Sequence, residues 1–136
     1  MKILQIPAQV EYLDQVLKFI KDELAEIGCT KKAIFQMEIA VEEIFVNIAH
    51  YAYGKDSGIA TIGVETSKDP NIAKVVFSDC GKPYNPLSRP DPDISLSCAE
   101  RPIGGLGIYM VKKSMDAVKY DHENGKNVLT IHKKLL

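Results

Sequence analysis

The stretch Met37–Tyr53 reads MEIAVEEIFVNIAHYAY and predicts a helix built for a core that nevertheless carries polar side chains at regular intervals. At about 100° per residue, Glu43, Asn47 and His50 share one stripe, while most of the apolar side chains lie toward the opposite side. A carboxylate one turn before an amide is a useful chemical pair, because the carboxylate can accept a proton and the amide oxygen is a hard ligand for Mg²⁺. A stripe that simply faces solvent would explain the same pattern, so the helix alone does not establish a site.

The elements around this helix predict an α+β two-layer sandwich. In chain order we expect a strand, two helices, two strands, a long loop, a helix and two strands, at about 2–7, 11–27, 30–53, 59–66, 73–78, 81–103, 108–115, 117–122 and 127–135. Thr30 is the predicted N-cap of the second helix, and the Asn124-Gly125 pair predicts the turn of the last hairpin. The order does not alternate as βαβ units do, so it favours a mostly antiparallel, mixed β-sheet with its helices packed on one face.

Composition narrows the function classes. The chain has 136 residues and a formal net charge of −1, so we expect a single domain over residues 1–136 that does not bind nucleic acid directly. No apolar run approaches the roughly 18–20 residues of a membrane span, and we expect no membrane association. The three cysteines lack the CxxC spacing of a zinc site, which favours reduced thiols and a cytoplasmic location.

A second motif, SDCGKP at 78–83, places Asp79 at the end of a predicted strand with Gly81 two residues later. A carboxylate at a strand end can accept a hydrogen bond from the exocyclic amine of adenine, and a glycine would let the main chain come close to the ring. An ordinary Asp-x-Gly turn would look the same, so this motif too is weak on its own.

A third motif, RPIGGLGIYMVKKSMD at 101–116, places three glycines immediately before a helix. Small residues there expose main-chain N–H groups at the helix N-terminus, where phosphate oxygens bind readily. The pattern is neither a Rossmann turn, since GxGxxG is incomplete and no strand precedes it, nor a Walker A loop, since no GK[ST] follows.

Together, EIAVEEIFVNIAHYAY, SDCGKP and ERPIGGLGIYMVKKSMDAVKY resemble, in order and spacing, the three nucleotide-binding boxes of the GHKL ATPase superfamily. That superfamily contains DNA gyrase, the heat-shock-90 chaperones, sensor histidine kinases and MutL-like repair proteins. The chain most resembles the small stand-alone branch of anti-sigma factors that are also serine-protein kinases. The resemblance covers essentially the whole chain and implies a Bergerat-type ATP-binding fold with ATP and Mg²⁺ as cofactors.

The resemblance also implies roles for individual residues. Glu43 matches the general base, which would activate a serine or threonine hydroxyl or a water, and Asn47 matches the Mg²⁺ ligand. Asp79 matches the carboxylate that reads adenine, with Gly81 beside it. His50 lies on the same helix stripe, and we expect it to support the pocket rather than to react.

The third box and the loop before it match the phosphate site and the ATP lid. The lid corresponds to residues 82–103, and its prolines predict an extended, poorly ordered segment in the absence of nucleotide. Arg101 at the end of the lid could meet a phosphate charge. The phosphates themselves would be held by the turn before the helix, formed by Gly104, Gly105, Leu106 and Gly107. Cys80, inside the adenine motif, would be open to modification if the empty pocket exposes it, but we expect a buried and inert thiol.

Three functional hypotheses follow. In the first, the chain is an anti-sigma factor that holds a sigma factor and phosphorylates a STAS-domain anti-anti-sigma protein, as the resemblance implies. In the second, it is a nucleotide-gated module that binds a sigma factor or another regulator and transfers little or no phosphate. Glu43 favours the first, because a pure binding module needs no base. The third, the catalytic domain of a sensor histidine kinase, is disfavoured because we find no dimerisation helix pair. The resemblance also implies a homodimer.

Overall fold

A computed structural model describes residues 1–88 and 106–136. The strands and helices follow the predicted order, with ends that differ by a few residues from the predicted ones. They are β1 Lys2–Pro7, α1 Leu13–Ala25, α2 Lys31–Tyr51, β2 Ile59–Ser67, β3 Ile72–Asp79, α3 Leu106–Ser114, β4 Ala117–Glu123 and β5 Lys126–Lys134. The first helix begins later than predicted because Val10–Tyr12 forms a separate 3-10 turn.

The five strands form one sheet in the order β1-β2-β3-β5-β4. Each of its four strand pairs is antiparallel, so the predicted antiparallel character is confirmed, whereas the described strands include no parallel pair of a mixed sheet. The last hairpin returns β5 between β3 and β4, and this insertion makes β5 antiparallel to both neighbours. At its turn, Asn124 and Gly125 have φ of 55° and 75°, the left-handed conformation that this residue pair adopts readily.

The helices pack on one face of the sheet, which gives the predicted two-layer α+β sandwich. Inward-facing residues of the strands alternate with outward-facing ones, as the two-residue period of a strand requires. The fully buried side chains that form the core come from α1, α2, the central strands and the residue after β5: Val16, Ile20, Leu24, Met37, Val41, Ile44, Phe45, Ile62, Val75, Phe77, Ile131 and Leu135. Burial of each such side chain contributes roughly 1.5–3 kcal/mol, so α2 and β3 form the centre of the domain.

The start of α2 is held by a cap and by a contact with the end of the chain. Thr30 has an extended main chain, and its Oγ1 accepts a hydrogen bond from the N–H of Ala33 at 3.0 Å. Its own N–H donates to the carbonyl of Leu135 at 2.8 Å. The predicted N-cap is therefore confirmed, and it also anchors α2 to the segment that follows β5.

Replacing Thr30 with Ala should lower the free energy of unfolding by about 1 kcal/mol, because the N–H of Ala33 loses its acceptor. Thr30→Ser keeps an oxygen at the same place and should change stability much less. Denaturant titration of the three proteins measures the difference. Equal stability of the Ala and Ser variants would show that the cap contributes nothing.

Candidate functional site

A pocket opens between the C-terminal half of α2 and the adjoining ends of β3, β4 and β5. The space inside it, counted together with the part open to solvent, is about 470 Å³. Most of its wall is aliphatic or aromatic, with a few polar groups. The lining residues are Ile44, Asn47, Ile48, Tyr51, Ala52, Phe77, Asp79, Lys82, Tyr84, Pro86, Ile108, Tyr120, Asn127 and Leu129.

Two buried polar residues lie at the sheet wall of this pocket. Asp79 and Asn127 face each other directly in the β3–β5 register, and only 6% and 7% of their surfaces are exposed. Oδ1 of Asp79 accepts hydrogen bonds from the N–H of Gly81 at 2.9 Å and from Nδ2 of Asn127 at 3.0 Å. Within the described chain, no donor pairs with Oδ2 of Asp79. That oxygen is left for a donor group of a ligand.

Asn127 was missed by the sequence analysis, although one pattern could have revealed it. On β5 it shares the helix-facing side with Leu129 and Ile131, so it is a polar residue in an apolar alternation. Its amide also contacts Tyr120, Tyr84 and Lys82. Residues of three neighbouring segments therefore meet at one side chain.

Gly81 is required by a close main-chain approach, but the neighbour is the end of α2. A Cβ at this position would lie 2.1 Å from the carbonyl oxygen of Ala52. That same carbonyl accepts a hydrogen bond from the N–H of Lys82 at 2.9 Å. The absence of a side chain at Gly81 therefore joins the end of α2 to the residues after β3, which differs from the predicted approach to an adenine ring.

Cys80 is exposed, so the prediction of a buried thiol is wrong. It follows Asp79 in an extended segment, and successive side chains there point to opposite sides. Its N–H donates to the hydroxyl of Tyr53 at 2.9 Å, and that hydroxyl donates to the carbonyl of Ile59 at 2.6 Å. Burial raises the pKa of the Tyr53 hydroxyl, and the charge of Asp79 adds to the rise. Tyr53 thus stays a donor and ties the end of β3 to the start of β2.

The pocket lies beside the predicted polar stripe of α2 instead of being centred on it. Its α2 wall is formed by Ile44, Asn47, Ile48 and Tyr51, which share one face of the helix. Asn47 is at the edge of that face and lines the pocket. His50 does not line it; its side chain is exposed and its ring packs edge-on against Tyr51. His50 points about 60° away from Asn47 on the helix, so its contact with the pocket wall is through Tyr51, and its supporting role stays a prediction.

Glu43 lies one turn before Asn47 and adjoins the start of α3 instead of the pocket. A Cβ on Gly107 would be 2.0 Å from Oε2 of Glu43, so the carboxylate lies directly against Gly107 and a side chain there would displace it. α3 begins at Leu106, two residues before the predicted start at about 108, so Gly107 lies in its first turn and not before the helix as predicted. Arg101, Gly104 and Gly105 lie outside the described residues.

Only the beginning of the predicted lid, residues 82–88, is described. This segment contacts the domain body: the N–H of Tyr84 donates to Oδ1 of Asn127 at 3.1 Å, and Pro86 is buried at the start of a 3-10 turn. The extended conformation predicted around Pro86 is therefore wrong at this residue. Residues 89–103, the remainder of the predicted lid, lie outside the described part of the chain.

Two tyrosines that the sequence analysis did not single out line the pocket at its exposed side. The rings of Tyr51 and Tyr84 are 6.3 Å apart between centroids and inclined by 41°. Both side chains are partly accessible to solvent, so their rings offer aromatic surface to a planar ligand.

In the described ranges, no helix is long and apolar enough to cross a membrane.

Comparison with known proteins identifies relatives of the whole domain. Serine-protein kinase RsbW from Bacillus cereus strain AH820 and from Bacillus thuringiensis strain Al Hakam are each 29% identical over 130 residues, covering 93% of this chain and 80% of each relative.

Two solved structures share the fold at lower identity. The structure of the RsbU and RsbW domains of Rv1364c from Mycobacterium tuberculosis matches 99% of this chain and 33% of its own, with a TM-score of 0.64 and 17% identity. The histidine kinase domain of the blue-light activated histidine kinase from Erythrobacter litoralis EL346 matches 96% of this chain and 62% of its own, with a TM-score of 0.57 and 15% identity.

The model of one family, described as the histidine kinase-like ATPase domain, matches residues 6–133. This range starts within β1 and ends within β5, and it includes the other three strands, the three α-helices of the described residues and every lining residue of the pocket. The chain belongs to the histidine kinase-like ATPase domain family.

Proposed function

We propose that the chain binds ATP in this pocket and acts as an anti-sigma factor that phosphorylates a serine or threonine of a STAS-type anti-anti-sigma protein. The proposal of nucleotide binding rests on the Asp79 carboxylate, which is buried in an apolar pocket and has one oxygen unpaired within the described chain. A buried acceptor without a partner is costly, and the exocyclic amine of adenine would supply the missing donor.

The pocket wall suits a purine base. Ile44, Ile48 and Phe77 provide apolar contact, and Tyr51 and Tyr84 add aromatic rings at the exposed side. Apolar walls give affinity, while a few placed polar groups give orientation. The base would therefore be oriented by Asp79 and held by its flat faces.

Asn47 is the residue that would hold Mg²⁺. Its side chain lines the pocket and makes no hydrogen bond to the described residues. The described ranges contain no group of three or more His, Cys, Asp or Glu side chains that could hold a metal ion. A single amide oxygen is consistent with the coordination of Mg²⁺, which usually binds few protein ligands and completes its shell with phosphate oxygens and water. The ion would supply charge neutralisation at the phosphates.

Glu43 is the proposed general base. It lies one helical turn from Asn47, beside Gly107 at the start of α3, where main-chain N–H groups favour anions. Among the described residues it has no ion-pair or hydrogen-bond partner, so its oxygens are free to accept the proton of a substrate hydroxyl. Asp79 and Glu43 would then serve opposite ends of one nucleotide.

The partner assignment draws on the relatives. The proteins named serine-protein kinase RsbW cover most of the chain, and one structural relative combines RsbU and RsbW domains. By analogy we place this chain in a partner-switching system in the cytoplasm, where it acts as a homodimer and exchanges a sigma factor for an antagonist. Phosphorylation of the antagonist would release it and return the chain to the sigma factor.

Asp79→Asn should weaken ATP binding by about 10- to 100-fold. The substitution replaces the unpaired, charged acceptor oxygen with part of a neutral amide, and a hydrogen bond to a charged group contributes about 1.5–3 kcal/mol. Asp14→Asn, an exposed aspartate on α1, is the matched control and should bind normally. Isothermal titration with Mg-ATP measures both. Normal affinity of the Asp79 variant would place the base elsewhere.

Glu43→Gln should bind Mg-ATP about as well as the unmodified chain and lose at least about 100-fold in phosphotransfer, since a general base typically contributes 10²–10⁴ in rate. Glu42→Gln changes the adjacent, exposed glutamate of the same helix and should keep both activities. Transfer of labelled phosphate to the captured antagonist gives the rate. Equal loss in the two variants, or a loss of binding in the Glu43 variant, would contradict the role of base.

The partners can be identified by capture from a lysate of the source organism with tagged protein, in parallel with Mg-ATP and Mg-ADP. We expect a sigma factor to be retained with Mg-ATP and a small STAS-domain protein to acquire a phosphoserine or phosphothreonine. Nucleotide-dependent retention of a regulator without any new phosphosite would favour a nucleotide-gated binding module, and the kinase assignment would fail.

A further inference from the structure

We propose that Asn127 is the positioning residue of the base site: it orients the Asp79 carboxylate, joins it to the first residues after β3, and thereby sets selectivity for a 6-amino purine. The inference rests on the proposed function, because it assumes that the pocket binds adenine. Asn127 lies on β5, and its partner carboxylate lies on β3, 48 residues away in the chain.

Main-chain partners determine the orientation of the Asn127 amide, that is, which positions Nδ2 and Oδ1 occupy. Nδ2 donates to the carbonyl of Lys82 at 2.9 Å, and Oδ1 accepts from the N–H of Tyr84 at 3.1 Å. A peptide carbonyl can only accept and a peptide N–H can only donate, so the opposite orientation would break both bonds. The donor end therefore faces Asp79, and the acceptor end faces the hydroxyl of Tyr120.

The amide of Asn127 is fully used by the protein. Its two N–H groups serve Asp79 and Lys82, and its oxygen accepts from Tyr84 and Tyr120. An amide has two donors and two acceptor lone pairs, so no capacity remains for a ligand. Asn127 can therefore affect ligand binding only through the groups that it holds.

The group that matters for the base is Asp79. Rotation of an aspartate carboxylate about χ2 is otherwise broad, but here two donors, the N–H of Gly81 and Nδ2 of Asn127, fix Oδ1. Fixing one oxygen also fixes the direction of the other. Because both side chains are more than nine-tenths buried, water cannot readily replace a lost donor. Without Nδ2 of Asn127, Oδ2 of Asp79 would no longer be held toward the ligand.

The amide of Asn127 also holds the residues through which the chain continues after β3. Its bonds to Lys82 and Tyr84 hold the main chain where the predicted lid begins, and both of these residues line the pocket. Asp79, Asn127 and the segment 82–84 thus form one hydrogen-bonded unit. A purine base that pairs with Asp79 therefore binds to a pocket wall that this unit already holds in position.

The test compares ATP with inosine triphosphate, which carries an oxo group where ATP carries the 6-amino group. Dissociation constants for both are measured with the unmodified chain and with Asn127→Asp, Asn71→Asp, Asp79→Asn and the double variant Asn127→Asp/Asp79→Asn. Asn127→Asp retains an acceptor for Tyr84 and Tyr120 but turns the donor that faces Asp79 into an acceptor. Asn71→Asp is the matched control, because it makes the same change at an asparagine outside the pocket, whose Nδ2 donates to the carbonyl of Gly28.

We expect the unmodified chain to prefer ATP, and Asn127→Asp to reduce that preference at least about tenfold, to the level of Asp79→Asn. Asn71→Asp should keep the preference within about threefold. Because Asn127 acts through Asp79, the double variant should be no less selective than Asp79→Asn alone. A purely structural role would weaken both nucleotides equally and leave their ratio unchanged, which would overturn the proposal.

Thermal unfolding monitored by circular dichroism checks that each variant is folded. If Asn127→Asp does not fold, Asn127→Ala removes the donor bonds to Asp79 and Lys82 without adding a carboxylate and should show the same loss of preference. An unmodified chain that binds both triphosphates equally would refute the adenine site itself. A clear preference that survives in the Asn127 variants would refute only the role of Asn127.

Discussion

The hydrogen-bonded pair of Asp79 and Asn127 is the constraint on which the site depends. A carboxylate and an amide on the helix-facing side of a sheet are costly to bury unless their polar atoms are paired. The pairing requires β5 to lie next to β3 with these two residues opposite each other, and the sheet order with β5 inserted between β3 and β4 provides it. The polar end of the pocket is thus a consequence of strand order.

The second requirement is that α2 be held at both ends against this sheet. Its N-terminus is capped by Thr30, whose N–H also bonds to Leu135 after β5. At its C-terminus, the carbonyl of Ala52 accepts from Lys82, and Gly81 allows the close approach. Between these anchors the helix buries its apolar side in the core. The side chains that face the pocket are therefore placed by the same packing that stabilises the domain.

The proposed chemistry is divided along α2. The end of the pocket proposed to bind the adenine has the buried Asp79 and aromatic neighbours. Glu43 lies on the far side of Asn47, against Gly107 and the start of α3. One helix thereby sets the spacing between base recognition and the proposed proton acceptor.

The sequence by itself determined the features that depend on neighbours along the chain: the order of helices and strands, the cap at Thr30, the turn at Asn124-Gly125 and the place of Asp79 at a strand end. These follow from short periodicities and local hydrogen bonds. Only the tertiary structure decided that Asn127 faces Asp79, that Tyr84 joins the site, that His50 stays outside the pocket and that Cys80 is exposed. Strand order, register and the rotation of α2 against the sheet determine those contacts, and they are set by packing between residues far apart in the chain.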